Sequence, residues 1–552
     1  MKGKPKKRVL NVIKKHALLN AIEYNGKANE QAVLGKVLSE EPELKKDISI
    51  VGKATVTTVK EVNSWSLEKQ KKEIKKFGKI EKPKKEEREG LPPLPNAEMG
   101  KVVTRLPPEP SKYNHIGHAL SFLINYMYAK MYKGKSVLRF EDTNPEKVKK
   151  EYVDAMKEDV LDYLGIKPDK TIFSSNDLPK MYEYAENIIK QGKAYVCTCP
   201  REEMRKLRHL GKGCKCRKRG KKENLKMWKE MLDKKYKEGQ AVLRLKIDMK
   251  ALNQVMRDPV IFRISFAEHF LQKKKYCVWP LYDFQNAVED ELCGITHILR
   301  SAEYGEMRIE LQNYIKDLLG FRKQTIVQYG RFEVAGTITQ GRLIRKMIEE
   351  GKMRGWDDPR LVTLKALRKR GIVKETYYNI AKKLGLNPTS AKIQWHMIAS
   401  ENRRLIDPIS PRFFFVGEPI EIKLDKLSKK TVKAPIFPGK RKYRKIPVTK
   451  KIFVDKLDFV QYKNKEIRLM HFCNIILNKK AKVTGIRLKD VPKIHWISSK
   501  NVKIRIVMSD GKEIEGLAEP EIKKVKPDQT VQFERLFFAR CDKEGLFYFS
   551  HK

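Results

Sequence analysis

The stretch from Lys101 to Phe140 constrains the fold of this chain more than any other. Lys101-Val-Val-Thr-Arg-Leu106 is a short β-prone run closed by Pro107-Pro-Glu-Pro110. A loop follows, and then a helix is predicted from about His118 to Tyr132. Leu120, Leu123, Ile124, Met127, Tyr128 and Met131 recur on one face of it at helical spacing. Gly134 stops that helix, and Ser136-Val-Leu-Arg-Phe140 reads as a second strand. Strand, helix and strand within about forty residues make one βαβ unit, which forces the two strands to run parallel. Helical patterns at 146–164 and 180–193 continue the alternation, so the centre of the chain is expected to be an α/β domain.

The flanks differ in kind. Residues 9–75 read as helices, with Ser64-Trp65-Ser66 ahead of Glu68 and Gln70 marking a helix start. Lys79 to Glu89 is a Lys/Glu-rich linker closed by Leu91-Pro-Pro-Leu-Pro95. Residues 195–275 look like an insertion, after which Tyr276-Cys-Val-Trp-Pro-Leu-Tyr282 is expected to resume the parallel sheet. Helical patterns dominate 337–400. Beyond Ser410, short β-prone runs (RFFFVG, IEIKL, KIFV, VKIRIVM, LFYFS) alternate with Lys-rich turns, the pattern of barrels or sandwiches.

Charge narrows the partners. The chain has 552 residues, with 119 Lys+Arg against 68 Asp+Glu, a net charge of +51. That length suggests about three or four domains, and 41% hydrophobic residues exclude wholesale disorder. So large a surplus opposes a compact state by self-repulsion unless a polyanion is near. Nucleic acid is the first candidate and an anionic membrane surface the second. No apolar run reaches the roughly 18 residues of a membrane span. The basic segment Met1–Arg8 leads only into short apolar stretches broken by Lys14, Lys15 and His16, which does not read as a secretory signal. Four of the eight cysteines crowd into twenty positions, which suggests a metal site rather than disulfides. A soluble, cytoplasmic, multi-domain protein that meets RNA or DNA is expected.

The segment Pro107-Pro-Glu-Pro-Ser-Lys-Tyr-Asn-His115-Ile-Gly117-His118 sits between the first strand and its helix. Free N–H groups and the positive end of a helix suit a phosphate there. Gly117, without a Cβ, would let a flat purine approach the backbone. His115 and His118, three apart, share a face of the first turn and can donate hydrogen bonds to an α-phosphate as charge builds on it. Two polar histidines at a helix cap are the bland alternative, and their place directly after the first strand of a βαβ unit speaks against it.

Taken with RFEDTNP at 139–145, WPLYDF at 279–284, GITHILR at 294–300 and GWDDPRL at 355–361, the TRLPPEP…HIGH segment resembles the class I glutamyl-tRNA synthetases. It is similar to their archaeal and eukaryotic branch, which also holds the glutaminyl enzymes. The resemblance implies a multi-domain fold with a Rossmann-like α/β catalytic domain. Around it would stand an inserted α+β acceptor-binding domain, an N-terminal helical region, a helical connector and C-terminal β-barrel anticodon-binding domains. The expected ranges are 1–95 for the helical region and linker, 96–194 and 276–335 for the catalytic halves, and 195–275 for the insertion. The connector would take 336–405 and the barrels 406–552.

The resemblance also implies roles. ATP, with Mg²⁺, would bind at His115, Gly117 and His118. L-glutamate would meet Arg105, Glu141 against its ammonium, Tyr282 along its side chain and Arg300 at its γ-carboxylate. A guanidinium grips a carboxylate with two hydrogen bonds and is poorly satisfied by an amide. Arg300, which glutaminyl enzymes lack, therefore favours glutamate. The alternatives are an enzyme that also charges tRNA(Gln) with glutamate, a glutaminyl enzyme, or a non-catalytic RNA-binding relative. The second ATP motif departs from the family. Where a Ser-Lys-rich loop is common, this chain has Gly336-Thr-Ile-Thr-Gln-Gly-Arg342-Leu-Ile-Arg345-Lys346. Arg342, with Arg345 or Lys346, is expected to supply the missing charge.

Cys197-Thr-Cys199 and Cys214-Lys-Cys216 form C-x-C…C-x-C, suited to a closed, structural Zn²⁺ site. Lys193, Arg201, Arg205, Lys212 and Arg217 would favour the thiolates. Cys277, Cys293, Cys473 and Cys541 are scattered and read as packing. Basic clusters at Arg217–Lys222, at Lys440–Lys445 and at Lys479, Lys480 and Lys482 fit a surface along a tRNA. Expected partners are tRNA(Glu), tRNA(Gln) in the dual-specificity case, and a protein on the N-terminal helical region; no membrane is expected.

Overall fold

The computed structural model describes residues 7–77 and 90–552. The linker expected at Lys79–Glu89 lies outside the described residues. The chain forms two compact units, 1–89 and 90–552.

The first unit packs helices α1 (Lys7–Glu23), α2 (Glu30–Glu40), α3 (Ile48–Asn63) and α4 (Leu67–Ile74). Ile13, Ala17, Leu18, Val33, Val37, Val51, Val59 and Val62 form its core. Asn29 caps α2 by accepting from Ala32 N at 3.0 Å. Ser66 caps α4, as its place in the sequence predicts.

In the second unit, β1 (Val103–Leu106), α5 (Ile116–Met131) and β2 (Lys135–Phe140) build the βαβ unit. Helix α6 (Lys150–Lys157) runs on as a π-turn to Tyr163 and leads to β3 (Lys170–Phe173). The sheet β1-β2-β3 is parallel throughout. Helix α7 (Leu178–Lys190) then enters the insertion. There β4 (Ala194–Cys197), α8 (Arg201–His209), α9 (Lys221–Leu232), β5 (Val242–Leu245), β6 (Val260–Ile264) and β7 (Val278–Pro280) follow one another. Its sheet is antiparallel, in the order β4-β5-β6-β7. Strand β7 pairs with β6, Phe262 facing Pro280, so the Tyr276–Tyr282 segment closes the inserted sheet instead of resuming the parallel one. An apolar run shows that a strand is buried but not which neighbour buries it.

The parallel fold resumes with α10 (Tyr282–Leu292), β8 (His297–Ser301), α11 (Gly305–Leu319) and β9 (Thr325–Tyr329). Strands β8 and β9 pair in parallel. They join β1 where Val103 N donates to Thr296 Oγ1 at 2.8 Å and Thr296 N donates to Val103 O at 3.0 Å. The sheet therefore reverses its winding beside β1, and a crevice opens at the carboxyl ends of β1, β2 and β8.

After β10 (Phe332–Val334), the stretch expected as a connector holds α12 (Gly341–Glu349), α13 (Leu364–Lys369), α14 (Lys374–Leu384), β11 (Ala391–Ile393) and α15 (Trp395–Ile406). Beyond it the chain makes two seven-stranded sheets with separate cores. Arg412-Phe-Phe-Phe-Val416 pairs within one of these sheets, but its side chains divide between the two cores. Phe414 and Val416 enter one core while Phe413 and Phe415 enter the other, because side chains alternate along extended backbone. Cys277, Cys473 and Cys541 are buried in apolar cores, as their scatter predicts.

The β1–β2 approach depends on Gly134, where a Cβ would stand 1.9 Å from Val102 O. Gly134→Ala is expected to destabilise the second unit by about 1–3 kcal/mol or more. Gly52→Ala in α3, with nothing within 4 Å of the added methyl, is expected to stabilise by up to about 1 kcal/mol. Urea unfolding of the two variants measures both.

Candidate active site and metal centre

The crevice is a cleft of about 850 Å³. His115, Gly117 and His118 stand at the N-terminus of α5 on its wall. His115 is the cap residue, with extended backbone (φ −119°, ψ 172°), and not part of the first turn. Its Nδ1 accepts from Gly117 N at 3.1 Å, and Nδ1 of His118 accepts from His115 N at 3.1 Å. The two imidazoles stack with centroids 3.8 Å apart. A neutral ring whose Nδ1 accepts must carry its proton on Nε2, so each presents an Nε2–H donor. Burial, with Lys112 and Arg331 nearby, pushes His115 down to about 3. Burial holds His118 well below its ordinary value too, aided by His115 and Lys112. Both rings thus remain neutral donors at physiological pH. At Gly117 an added Cβ would meet Phe332 O at 2.9 Å and the His115 ring at 3.0 Å, so the space is filled by the protein itself.

The capped turn is held from the connector. Ile116 N donates to Val362 O at 3.1 Å and Leu364 N to Asn114 O at 2.9 Å. Trp356 stacks on Tyr113 with centroids 5.1 Å apart. Trp356 of GWDDPRL, with Val362 and Leu364 just after that segment, therefore braces the histidine turn, a role the sequence does not disclose.

The floor of the cleft is built on one carboxylate. Asp290 Oδ1 accepts from Arg105 Nε at 3.0 Å and from Arg139 Nη1 at 2.8 Å, and Lys316 Nζ lies 3.8 Å from Oδ2. Burial alone would raise the Asp290 carboxyl, but Arg105, Arg139 and Lys316 outweigh it and hold it below the usual value. The neighbouring Glu289 is pushed up to about 8 by burial, so Asp290 carries the charge. Arg139 Nη2 donates in turn to Glu141 Oε1 and to Asn286 Oδ1, both at 2.9 Å. Arg105 and Glu141 thus reach the cleft with fixed heads.

Arg300, at the end of β8 and 4% exposed, donates from Nη1 to Gln312 Oε1 at 3.0 Å. Gln312 donates on to Asp283, which also takes Arg308 Nη1 at 2.6 Å. Tyr282, beside Asp283 at the start of α10, lines the same cleft. One cavity thus gathers Arg105, His115, Gly117, His118, Glu141, Tyr282 and Arg300. Lys112 and Arg331 line it as well; isolated cations in loop and strand-end sequence gave no signal for them.

Residues 101–408 match the family described as tRNA synthetases class I (E and Q), catalytic domain. Residues 410–491 and 493–542 match two families described as the anti-codon binding domain of the same synthetases. The chain belongs to the class I E and Q tRNA synthetases. A glutamate--tRNA ligase of Pyrococcus furiosus is 41% identical, over 96% of each chain. Those of Thermococcus kodakarensis (38%, over 99% of this chain and 100% of the relative) and Methanocaldococcus jannaschii (39%, over 96% of each) are alike.

The residues expected for the second ATP motif of this synthetase stand apart from the cleft lining. Arg342 and Lys346 are exposed on α12, where Lys346 lies 3.7 Å from Glu350. Helix α12 begins against Lys112, since a Cβ at Gly341 would meet that side chain at 3.1 Å. Burial chiefly, with Arg331 and Arg345 nearby, lowers the Lys112 ammonium.

The four clustered cysteines of the insertion are buried, with all Sγ atoms within 4.8 Å of one another. The Cys197–Cys214 and Cys199–Cys216 separations are both 3.7 Å. Tetrahedral Zn²⁺ at about 2.3 Å from each sulfur would set them roughly 3.8 Å apart, so the donor set fits that metal. Arg244 Nη1 stands 3.9 Å from Cys197 Sγ and 3.8 Å from Cys214 Sγ, a cation not among the five basic residues expected to favour the thiolates. Arg217 is turned instead to Asp258, at 2.7 Å.

Two outcomes follow from this geometry. Asp290→Asn leaves cations around a neutral amide and is expected to cost about 3–5 kcal/mol, read as a lower urea midpoint. NMR of labelled histidine is expected to find His115 and His118 as neutral Nε2–H tautomers from pH 8 to pH 5. Because their folded values lie below the unfolded one, these rings take stability away as pH falls through about 6.5.

Proposed function

We propose that this chain joins L-glutamate to the 3′ end of tRNA(Glu) at the expense of ATP, through glutamyl-adenylate. The observation that carries the reading is the convergence of Arg300, Glu141, Arg105 and Tyr282 on the cleft that holds His115, Gly117 and His118. An oxygen of the glutamate α-carboxylate attacks the α-phosphorus of ATP, and the bond to pyrophosphate breaks. The terminal tRNA hydroxyl then attacks the adenylate carbonyl, and AMP leaves. Charge grows on the α-phosphate in the first step, where the Nε2–H groups of His115 and His118 and the start of α5 stabilise it. Arg300 pairs with the γ-carboxylate, Glu141 takes the ammonium, and Tyr282 lines the side-chain path. Asp290 fixes Arg105 and Arg139 before substrate arrives, so little reorganisation accompanies the reaction.

Mg²⁺ enters with ATP. Arg342 and Lys346 are assigned to the pyrophosphate end, which they reach when the 336–346 segment closes on the cleft. The four cysteines would hold a structural zinc that fixes the inserted domain, which we assign to the acceptor end. The two C-terminal sheets are assigned to the anticodon. Among the described residues no helix is long and apolar enough to cross a membrane, and the cytoplasm is the compartment we assign.

Charging of separate glutamate and glutamine tRNAs tests the reading. Arg300→Gln is expected to raise KM for glutamate about 10- to 150-fold, the worth of a hydrogen bond to a charged group. Arg342→Ala is expected to slow activation far more than it weakens ATP binding, read by single-turnover adenylate formation. Freshly purified protein is expected to carry close to one zinc, and less than about half an equivalent would contradict the Cys₄ site.

A further inference from the structure

The segment 336–346 holds no Ser-Lys pair, and none of its residues lines the cleft. A triphosphate placed at His115 and His118 would therefore meet no cation from that segment as it stands. One lysine does stand between the two motifs. Lys112 lies three residues ahead of the cap residue His115 and lines the cleft. Its side chain is laid along the start of α12, where a Cβ at Gly341 would stand 3.1 Å from Lys112 Cβ and 3.1 Å from its Cδ. As placed, a lysine at 112 and a side chain at 341 exclude each other, and this chain has the lysine.

The loop that carries Lys112 is fixed on both sides. Ser111 N donates to Glu109 O at 2.8 Å, Tyr113 stacks on Trp356, and Asn114 Nδ2 donates to Asp159 Oδ2 at 3.2 Å. Among the described residues no carboxylate oxygen lies within 4.0 Å of the Lys112 ammonium. Arg331, across the cleft, is instead paired with Glu303 at 2.7 Å and with Glu333 at 3.3 Å. Burial disfavours the charge of Lys112. Glu109 and Glu303 relieve this in part, while Arg331 and Arg345 add to it, so the ammonium is held below its ordinary value. A half-buried cation without a partner, set among other cations, costs stability that an arriving anion restores. The charged ends of the amino acid are met by Arg300 and Glu141 in the reading above. The anion left for Lys112 is the triphosphate.

We infer that Lys112 is a catalytic residue that binds the β- and γ-phosphates of ATP, its ammonium standing in for a lysine of the second motif. The inference rests on the reading of ATP as substrate. As a glutamate carboxylate oxygen bonds to the α-phosphorus, the bond from that phosphorus to the bridging oxygen breaks, and its electron pair stays on pyrophosphate. Lys112 stabilises the charge that pyrophosphate gains. Because it is in place before any segment closes, it also holds ATP in the ground state. Arg342, exposed on α12, joins it on closure.

ATP–pyrophosphate exchange by the full chain, with glutamate and purified tRNA(Glu) present, tests this. Lys112→Gln is expected to lower kcat/KM for ATP about 10- to 150-fold, the worth of a hydrogen bond to a charged group. Part of that loss is expected in KM for ATP, with KM for glutamate unchanged, whereas Arg342→Ala acts chiefly on kcat. Lys112→Arg keeps the charge and is expected to retain more activity than Lys112→Gln. The melting temperature of Lys112→Gln is expected to equal or exceed that of the parent, since a cation without a partner is removed. Exchange at the parental rate in Lys112→Gln would overturn the inference. So would a loss that falls equally on KM for glutamate, or one that Lys112→Arg shares in full. A parent without exchange under these conditions would defeat the functional reading instead, because no variant is needed to see it.

Discussion

A single buried carboxylate organises the floor of the cleft. Asp290 is 1% exposed, and Arg105, Arg139 and Lys316 converge on it from β1, β2 and α11. Buried cations are costly unless paired, and each of these is drawn to the same anion. Because the partners sit on different elements, the bonds that satisfy Asp290 also fix the ends of β1 and β2 relative to α10. Arg139 then spends its second nitrogen on Glu141, so the acid of the second strand is aimed by the same charge. The proposed glutamate pocket is therefore a consequence of how the sheet is held together rather than an addition to it.

The histidine pair obeys the same logic of prior arrangement. Backbone N–H groups at the helix start occupy both Nδ1 atoms, which leaves both Nε2–H groups as donors before any nucleotide is present. Neutral rings suit this duty. Burial keeps them from gaining protons, so donation does not vary across physiological pH. The brace from Val362 and Leu364 links that turn to the stretch that follows the expected second ATP motif.

Some of this was legible in the sequence and some was not. The βαβ unit was legible because its apolar periodicities are strong and its turn is punctuated by prolines and Gly134. The alternation of Phe413, Phe414 and Phe415 reads as strand, yet which core each ring enters depends on a second sheet that local sequence does not specify. Strand β7 was assigned to the wrong sheet for the same reason. His115 and His118 were identified, but their tautomers depend on backbone donors that appear only when α5 starts at Ile116. Asp290 gave no signal, because an acid in Val-Glu-Asp-Glu-Leu reads as a solvated helix face until Arg105 and Arg139 are brought against it. Arg217 and Arg444 were counted as RNA-facing charge, whereas Asp258, Glu519 and Glu534 draw them inward. Two arginines and three acids are drawn inward together in these pairs, so the surplus of +51 is not diminished there.

The central claim is that the cleft is set for a glutamyl-adenylate before substrate binds. A crystal structure with a non-hydrolysable glutamyl-adenylate analogue tests it most directly. The account predicts Nε2 of His115 and His118 about 3 Å from phosphate oxygens. It predicts the Arg300 guanidinium on the γ-carboxylate, and Arg105 and Arg139 still bonded to Asp290. An analogue whose side chain points away from Arg300, or whose binding pulls Arg105 and Arg139 off Asp290, would contradict it.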